Sequence, residues 1–198
     1  MSPPILILAS ASPRRAAILT ALGLPFRVLI PAVDESLLPG ERGAAAAERL
    51  ARAKAASVAG AAELPVLAAD TLVLCDDQVL GKPASAEQAA RMLRTLSGRS
   101  HEVVTGVCLA RNGILRSGIE TTVVTFAPMS EAEIAWYVGT GEPLDKAGAY
   151  ALQGAGGLLV RSIEGSSSNV VGLPLAELAE LLAACGWPVE RLRELPHG

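Results

Sequence analysis

The sequence predicts an α/β domain built on a mixed sheet. Short apolar runs of strand length alternate with Ala- and Leu-rich helical patterns, as in a sheet covered by helices. Asn112-Gly113 between two strand-like runs marks a hairpin, so the strands cannot all be parallel. No internal repeat or long linker divides the 198 residues, which suffice for one sizeable core. A single domain over 1–198 is therefore expected. Hydrophobic residues make up 51% of the chain and aromatic residues 3%, so Ala, Leu and Val must build that core.

The elements follow in order. Ile5 to Ala9 reads as a short buried strand running into a Ser-rich turn. Ser12 is an N-cap, Pro13 the first helical position, and Arg14 to Leu22 a helix stopped by Gly23. FRVLIPAVDE is a second strand, broken by Pro31 and ending at Asp34-Glu35. Ala44 to Gly60 is helical, with Lys54 near its middle. Leu64 to Asp77 is an apolar strand interrupted by Asp70, and Asp77-Gln78 is a tight turn leading to VLGKP. Ser85 caps a helix from Ala86 to Leu96. Two strands run from His101 to Phe126 across Asn112-Gly113. Ser130 and Glu133 form a capping box on a helix to Val138. GLLVRSIEG and NVVGL read as short strands. Leu175 to Cys185 is a closing helix with Pro174 at its start, and WPVERLRELPHG is a tail.

Composition narrows the function. A net charge of −3 gives no general attraction to nucleic acid or anionic lipid, and no basic stripe is interleaved with aromatics. Cys75, Cys108 and Cys185 are odd in number and scattered, which suits a reducing cytosol and a cytoplasmic protein. Ala9-Ser10-Ala11 resembles a signal-peptidase site, but the run before it is too short and no basic residue precedes it. No apolar run is long enough for a membrane span.

Arg14 and Arg15 stand in the first turn of a helix, where cations oppose the helix dipole at about 0.3–1 kcal/mol each. Two readings fit. The pair is solvated surface charge, or it forms an anion site with Ser10, Ser12 and the free amides of the helix start. Asp70 in its apolar run is either a turn residue or a paired or cleft-facing carboxylate, able to act as general base or metal ligand. Lys82 lies on a constrained Gly-Lys-Pro loop. Lys54 on its helix and Glu35 beside Asp34 have bland readings, a polar helix face and an acidic loop. His101 and His197 lack a serine or cysteine constellation, zinc spacing is absent, and there is no P-loop. Cations, carboxylates and no histidine catalyst suit water attack on a phosphoanhydride, with carboxylates holding a divalent metal and taking the water's proton.

LASASPRR, AADTLV, LGKP, LSGRSHEVVTGV, EPLDKAGAYALQG and SNVVGLPL follow one another in the order and at the distances of the Maf-like nucleotide pyrophosphatases, which the chain resembles over nearly its whole length. The resemblance implies an elongated Maf/ITPase-like mixed-sheet fold with a deep cleft between two lobes. It implies hydrolysis of nucleoside triphosphates to monophosphate and pyrophosphate with a divalent cation, Mg, Mn or Co. By position, Ser10, Arg14, Arg15, Lys54 and Lys82 correspond to the phosphate-binding set, Asp70 to the general base, and Glu35 to a metal ligand, with Asp70, or to that ligand's helper. Thr71 and Gln153 resemble the branch acting on dTTP and UTP. Alternatives are a 7-methyl-GTP pyrophosphatase and a nucleotide-sensing regulator of septum formation. A homodimer stays open.

Overall fold

The computed structural model describes residues 3–60, 62–76, 78–188 and 190. Seven strands form one sheet: β1 (Leu6–Ala9), β2 (Phe26–Leu29), β3 (Val66–Cys75), β4 (Gln78–Leu80), β5 (Ser100–Arg111), β6 (Ile114–Phe126) and β7 (Val160–Glu164). Their order is β2-β1-β3-β5-β6-β7, with β4 paired to β3. β1 runs parallel to β2 and β3, whereas β3–β4 and β6–β7 are antiparallel, so the sheet is mixed as expected. The helices are α1 (Pro13–Ala21), α2 (Gly43–Ala59), α3 (Ala86–Leu96), α4 (Glu131–Gly139), α5 (Ser167–Val171) and α6 (Leu175–Ala184).

By packing, the chain divides into two units, and β3, β5 and β6 each pass from one into the other. The first holds the residues up to Asp70, Thr105–Glu120 and those from Gly172 onward; the second holds Thr71–Val104 and Thr121–Val171.

In the first unit, strand alternation sorts the side chains onto two faces. Leu6, Leu8, Leu67, Ala69, Val107 and Leu109 pack with Leu19 of α1 and with Leu178, Leu181 and Leu182 of α6. Ile7, Ala9, Val66, Ala68, Cys108 and Ala110 pack on the other face with Ala51 and Ala55 of α2. Each fully buried leucine contributes about 1.5–3 kcal/mol. The alanines let α2 lie close on the sheet. A Cβ at Gly106 of β5 would come within 2.3 Å of the Ala47 carbonyl oxygen, so a side chain there would push the helix away.

In the second unit, Val73, Leu80, Leu93, Leu96, Val103, Phe126, Ile134 and Tyr137 share one buried cluster. Ser85 caps α3 and Ser130 caps α4, the latter with its full capping box. The β5–β6 turn carries positive φ at Asn112 (50°) and Gly113 (77°), the geometry that dipeptide favours.

Three expectations are corrected. β2 stops at Leu29, two residues before Pro31, and the segment to Glu35 is loop. β3 is not interrupted at Asp70 but runs ten residues through it. Residues 169–173 are not a strand; α5 covers Ser167–Val171. There, Ser166 Oγ accepts the Asn169 amide at 3.3 Å, a helix cap, and the buried Asn169 Nδ2 donates to the Val103 carbonyl and Thr122 Oγ1 at 2.9 Å each. The β3–β4 turn falls partly on Asp77, which lies outside the described residues, as does His197.

Candidate active site

At the start of α1, Ser12 adopts the N-cap conformation and its Oγ accepts the Arg15 amide at 3.4 Å. Ser10, at the end of β1, is buried, and its Oγ accepts from the Ser12 amide and from Arg15 Nη1, both at 3.1 Å. Arg15 Nε donates to the Gly172 carbonyl at 2.7 Å. The two arginines therefore differ. Arg15 turns inward and ties α1 to the segment that enters α6. Burial pushes its pKa down to about 10, against the pull of Asp70, with Arg14 pushing further down and Glu35 opposing. The half-buried Arg14 side chain makes no hydrogen bond or ion pair among the described residues.

Lys54 of α2 is buried beneath the sheet's Asp70. Its Nζ stands 2.5 Å from Asp70 Oδ1 and 2.9 Å from Glu35 Oε1. The Lys54 and Asp70 side chains are each 8% exposed and Glu35 is 58% exposed. Asp70 is thus neither a turn residue nor an uncompensated charge. It is a mid-strand carboxylate whose burial is offset by a lysine sixteen positions earlier.

Two residues that the sequence reading did not single out shape the loop carrying Glu35. Arg49 of α2 grips Glu41 with Nε and Nη2 (2.6 and 2.7 Å) and donates from Nη2 to the Ser36 carbonyl at 3.0 Å. Asp34 Oδ1 accepts the Ser36 amide at 2.9 Å, an Asx turn that places Glu35 between them. Glu41 and Arg49 look like ordinary surface charges in sequence, and no motif announces the pair.

The structure brings Ser10, Arg14, Arg15, Glu35, Lys54 and Asp70 together within the first unit, with Arg15 in electrostatic reach of Arg14, Asp70 and Glu35. Thr71 follows Asp70 along β3, half-buried. Lys82 and Gln153 belong to the second unit, both exposed, Lys82 after β4 and Gln153 between Tyr150 and the 3₁₀ turn Ala155–Leu159. His101 is a core residue. Its Nε2 meets the Tyr150 hydroxyl at 2.8 Å and its ring packs edge-on against Phe126 and Tyr150.

Glu35 and Asp70 converge on one cationic nitrogen from separate elements. Two carboxylates so placed fit a hard divalent cation, which takes one or two protein carboxylates and completes its shell with water and substrate phosphate. No group of three or more His, Cys, Asp or Glu poised for a metal occurs among the described residues. No helix among them is long and apolar enough to cross a membrane.

A family model described as Maf-like protein matches residues 5–185. The dTTP/UTP pyrophosphatase of Anaeromyxobacter dehalogenans (strain 2CP-C) is 55% identical over 190 residues, covering 94% of this chain and 96% of that protein. The dTTP/UTP pyrophosphatase of Escherichia coli O157:H7 is 50% identical over 180 residues, 90% and 91% of the two chains. The solved structure of a HAM1 protein from Coxiella burnetii shares the fold, with a TM-score of 0.51, 17% identity, and coverage of 92% of this chain and 100% of that one.

Proposed function

Because the chain belongs to the Maf-like protein family, we propose that it is a nucleoside triphosphate pyrophosphatase that hydrolyses dTTP and UTP to the monophosphate and pyrophosphate. The observation that carries the chemistry is the Lys54 ammonium held between Asp70 and Glu35 beside the α1 arginines. The relatives' names supply the substrates. We read residues 1–198 as one catalytic domain, since three strands run through both packed units, and we place it in the cytoplasm, where its substrates and three free thiols belong.

Arg14, the Ser10–Ser12 turn and Lys54 bind the triphosphate's oxygens in the first unit. Arg15 keeps that turn in shape. Asp70 accepts a proton from the attacking water as the water oxygen bonds to the α-phosphorus. The bond from that phosphorus to the α–β bridging oxygen breaks, and pyrophosphate leaves with the electron pair. Lys54, in contact with Asp70 Oδ1, holds that carboxylate oriented for this step. A divalent cation held by Glu35 and Asp70 would neutralise phosphate charge in the transition state.

Gln153 reads the base. Its amide offers one donor and one acceptor, the complement of a pyrimidine's O4 and N3–H. CTP reverses both partners, and a site built to hydrogen-bond one edge rejects the other strongly. The test is kcat/KM for UTP, dTTP, CTP, GTP and 7-methyl-GTP in one metal buffer, scored by pyrophosphate release. UTP and dTTP are expected to lead. A clear preference for 7-methyl-GTP would overturn the substrate assignment while leaving Asp70's part intact.

A further inference from the structure

Gln153 stands on the segment Ala151-Leu152-Gln153-Gly154-Ala155-Gly156. With two glycines in six residues, such a loop has little intrinsic shape. The structure nevertheless fixes it at both ends, and both ends lead to one carboxylate. Glu142 opens the 3₁₀ turn Glu142–Asp145. It accepts the Ala155 amide at 3.1 Å, the Gly156 amide at 3.0 Å and the Tyr137 hydroxyl at 2.7 Å. The same hydroxyl oxygen accepts the Ala151 amide at 3.1 Å.

Tyr137 is fully buried on α4, so its hydroxyl is set by the core. The loop is drawn tightly onto this pair. A Cβ at Gly154 would stand 2.2 Å from Glu142 Oε2, and one at Gly156 would stand 2.4 Å from the Tyr137 hydroxyl. Glu142 is itself steadied where its amide donates to Thr140 Oγ1 at 3.2 Å. Partial burial raises the Glu142 carboxyl, but its bonds from Gly156, Tyr137 and Ala155 and the nearby Lys146 outweigh this and hold it below the usual range. It is an anion at neutral pH, the strong acceptor that two amides and a phenol require.

We propose that Glu142 and Tyr137 are positioning residues for base selection, holding the Ala151–Gly156 loop in the one shape that presents the Gln153 amide to a pyrimidine. The inference rests on the reading of Gln153 given above. Ordering the loop during folding removes that cost from binding and fixes where the Gln153 backbone stands. Neither residue touches the reacting atoms, so their loss acts on KM and selectivity and spares turnover.

The experiment compares the full chain with Tyr137→Phe, Glu142→Gln, Gln153→Ala and the Tyr137→Phe/Gln153→Ala double variant, on UTP and CTP. Tyr137→Phe and Glu142→Gln should each raise the KM for UTP and lower the UTP-to-CTP ratio of kcat/KM by about tenfold, with kcat for UTP within about twofold. Gln153→Ala should lower the ratio at least as much, and the double variant should lose nothing further. If Gln153→Ala loses selectivity while both positioning variants keep it, the proposal fails and Gln153 stands. If Gln153→Ala keeps selectivity, the reading of Gln153 fails and takes the proposal with it. A drop in kcat equal to the drop in kcat/KM would also overturn it. Should Tyr137→Phe melt early, Gly154→Ala, which pushes the loop off the carboxylate without touching the core, carries the same expectation.

Discussion

In the first unit, Ser10, Lys54 and Asp70 stand at a strand end, on a helix and in mid-strand; Lys54 and Asp70 hold each other, and Ser10 Oγ is held by the Arg15 guanidinium and the Ser12 amide. In the second unit, Gln153 stands on an irregular loop whose backbone amides are held by Glu142 and Tyr137. The difference follows from what is being fixed. A buried ion pair survives only with close, well-placed partners, and packed regular elements give that placement. A group that reads a planar edge needs exposure, which a loop provides, and the loop then needs separate anchors. The core chemistry contrasts as well: the first unit buries Lys54 and Asp70 as a charged pair, whereas the second buries His101 uncharged.

The largest effect expected from breaking the first arrangement is on turnover. Asp70→Asn should cut kcat by about 10²–10⁴ while leaving nucleotide affinity within a few-fold. Pyrophosphate release under saturating UTP measures it, and near-normal turnover would make Asp70 a structural residue only. Lys54→Ala leaves Asp70 buried without its cation and should cost about 3–5 kcal/mol in urea unfolding. Most of that belongs to the Asp70 side, because the Glu35 pair is solvent-screened.

His101 sharpens the contrast through pH. Burial pushes its pKa from 6.5 down to about 4. The unfolded chain takes up that proton as pH falls past about 6.5, and the folded chain does not until about 4. The stability His101 permits is therefore full above 6.5 and is lost as pH falls toward 4, in all about 3 kcal/mol. Unfolding midpoints at several pH values, compared with His101→Gln, should show this slope in the parent chain and its absence in the variant.

The smallest effect separates the two arginines. Arg15→Ala strips the Gly172 carbonyl and Ser10 Oγ of a donor and should cost about 1–3 kcal/mol. Arg14→Ala should move stability by under about 0.5 kcal/mol yet raise the KM for UTP. Thermal unfolding beside steady-state kinetics would show the split, and the reverse pattern would exchange their parts.

Local signals carried most of the fold. Ser12, Ser85 and Ser130 cap helices because each can reach an amide three residues on, and Asn112-Gly113 turns because both residues tolerate positive φ. Asp70 was legible as an anomaly in an apolar run. That Lys54 compensates it was not, since a separation of sixteen residues has no local signature. NVVGL misled because β-branched residues favour strands on their own, while Asn169's tertiary hydrogen bonds and the Ser166 cap impose a helix. The Glu142–Tyr137 anchors and the Arg49–Glu41 grip escaped for the same reason as Lys54: their partners are backbone groups and side chains that only folding brings near.

The tie from Arg15 to Gly172 also bears on how the protein is made. Leu173, Leu178, Leu181 and Leu182 belong to the same buried cluster as Leu6 and Leu8. β1 is synthesised well before α6 and therefore waits for that helix before one of its faces is covered. Until then, that face of β1 stays open to chaperones and to other nascent chains. The second unit's residues, ending at Val171, have all been synthesised by that point. A chain ending at Val171 and released from the ribosome should resist protease across the second unit and be cut in the first, and equal resistance in both would show that the first unit closes without its last segment.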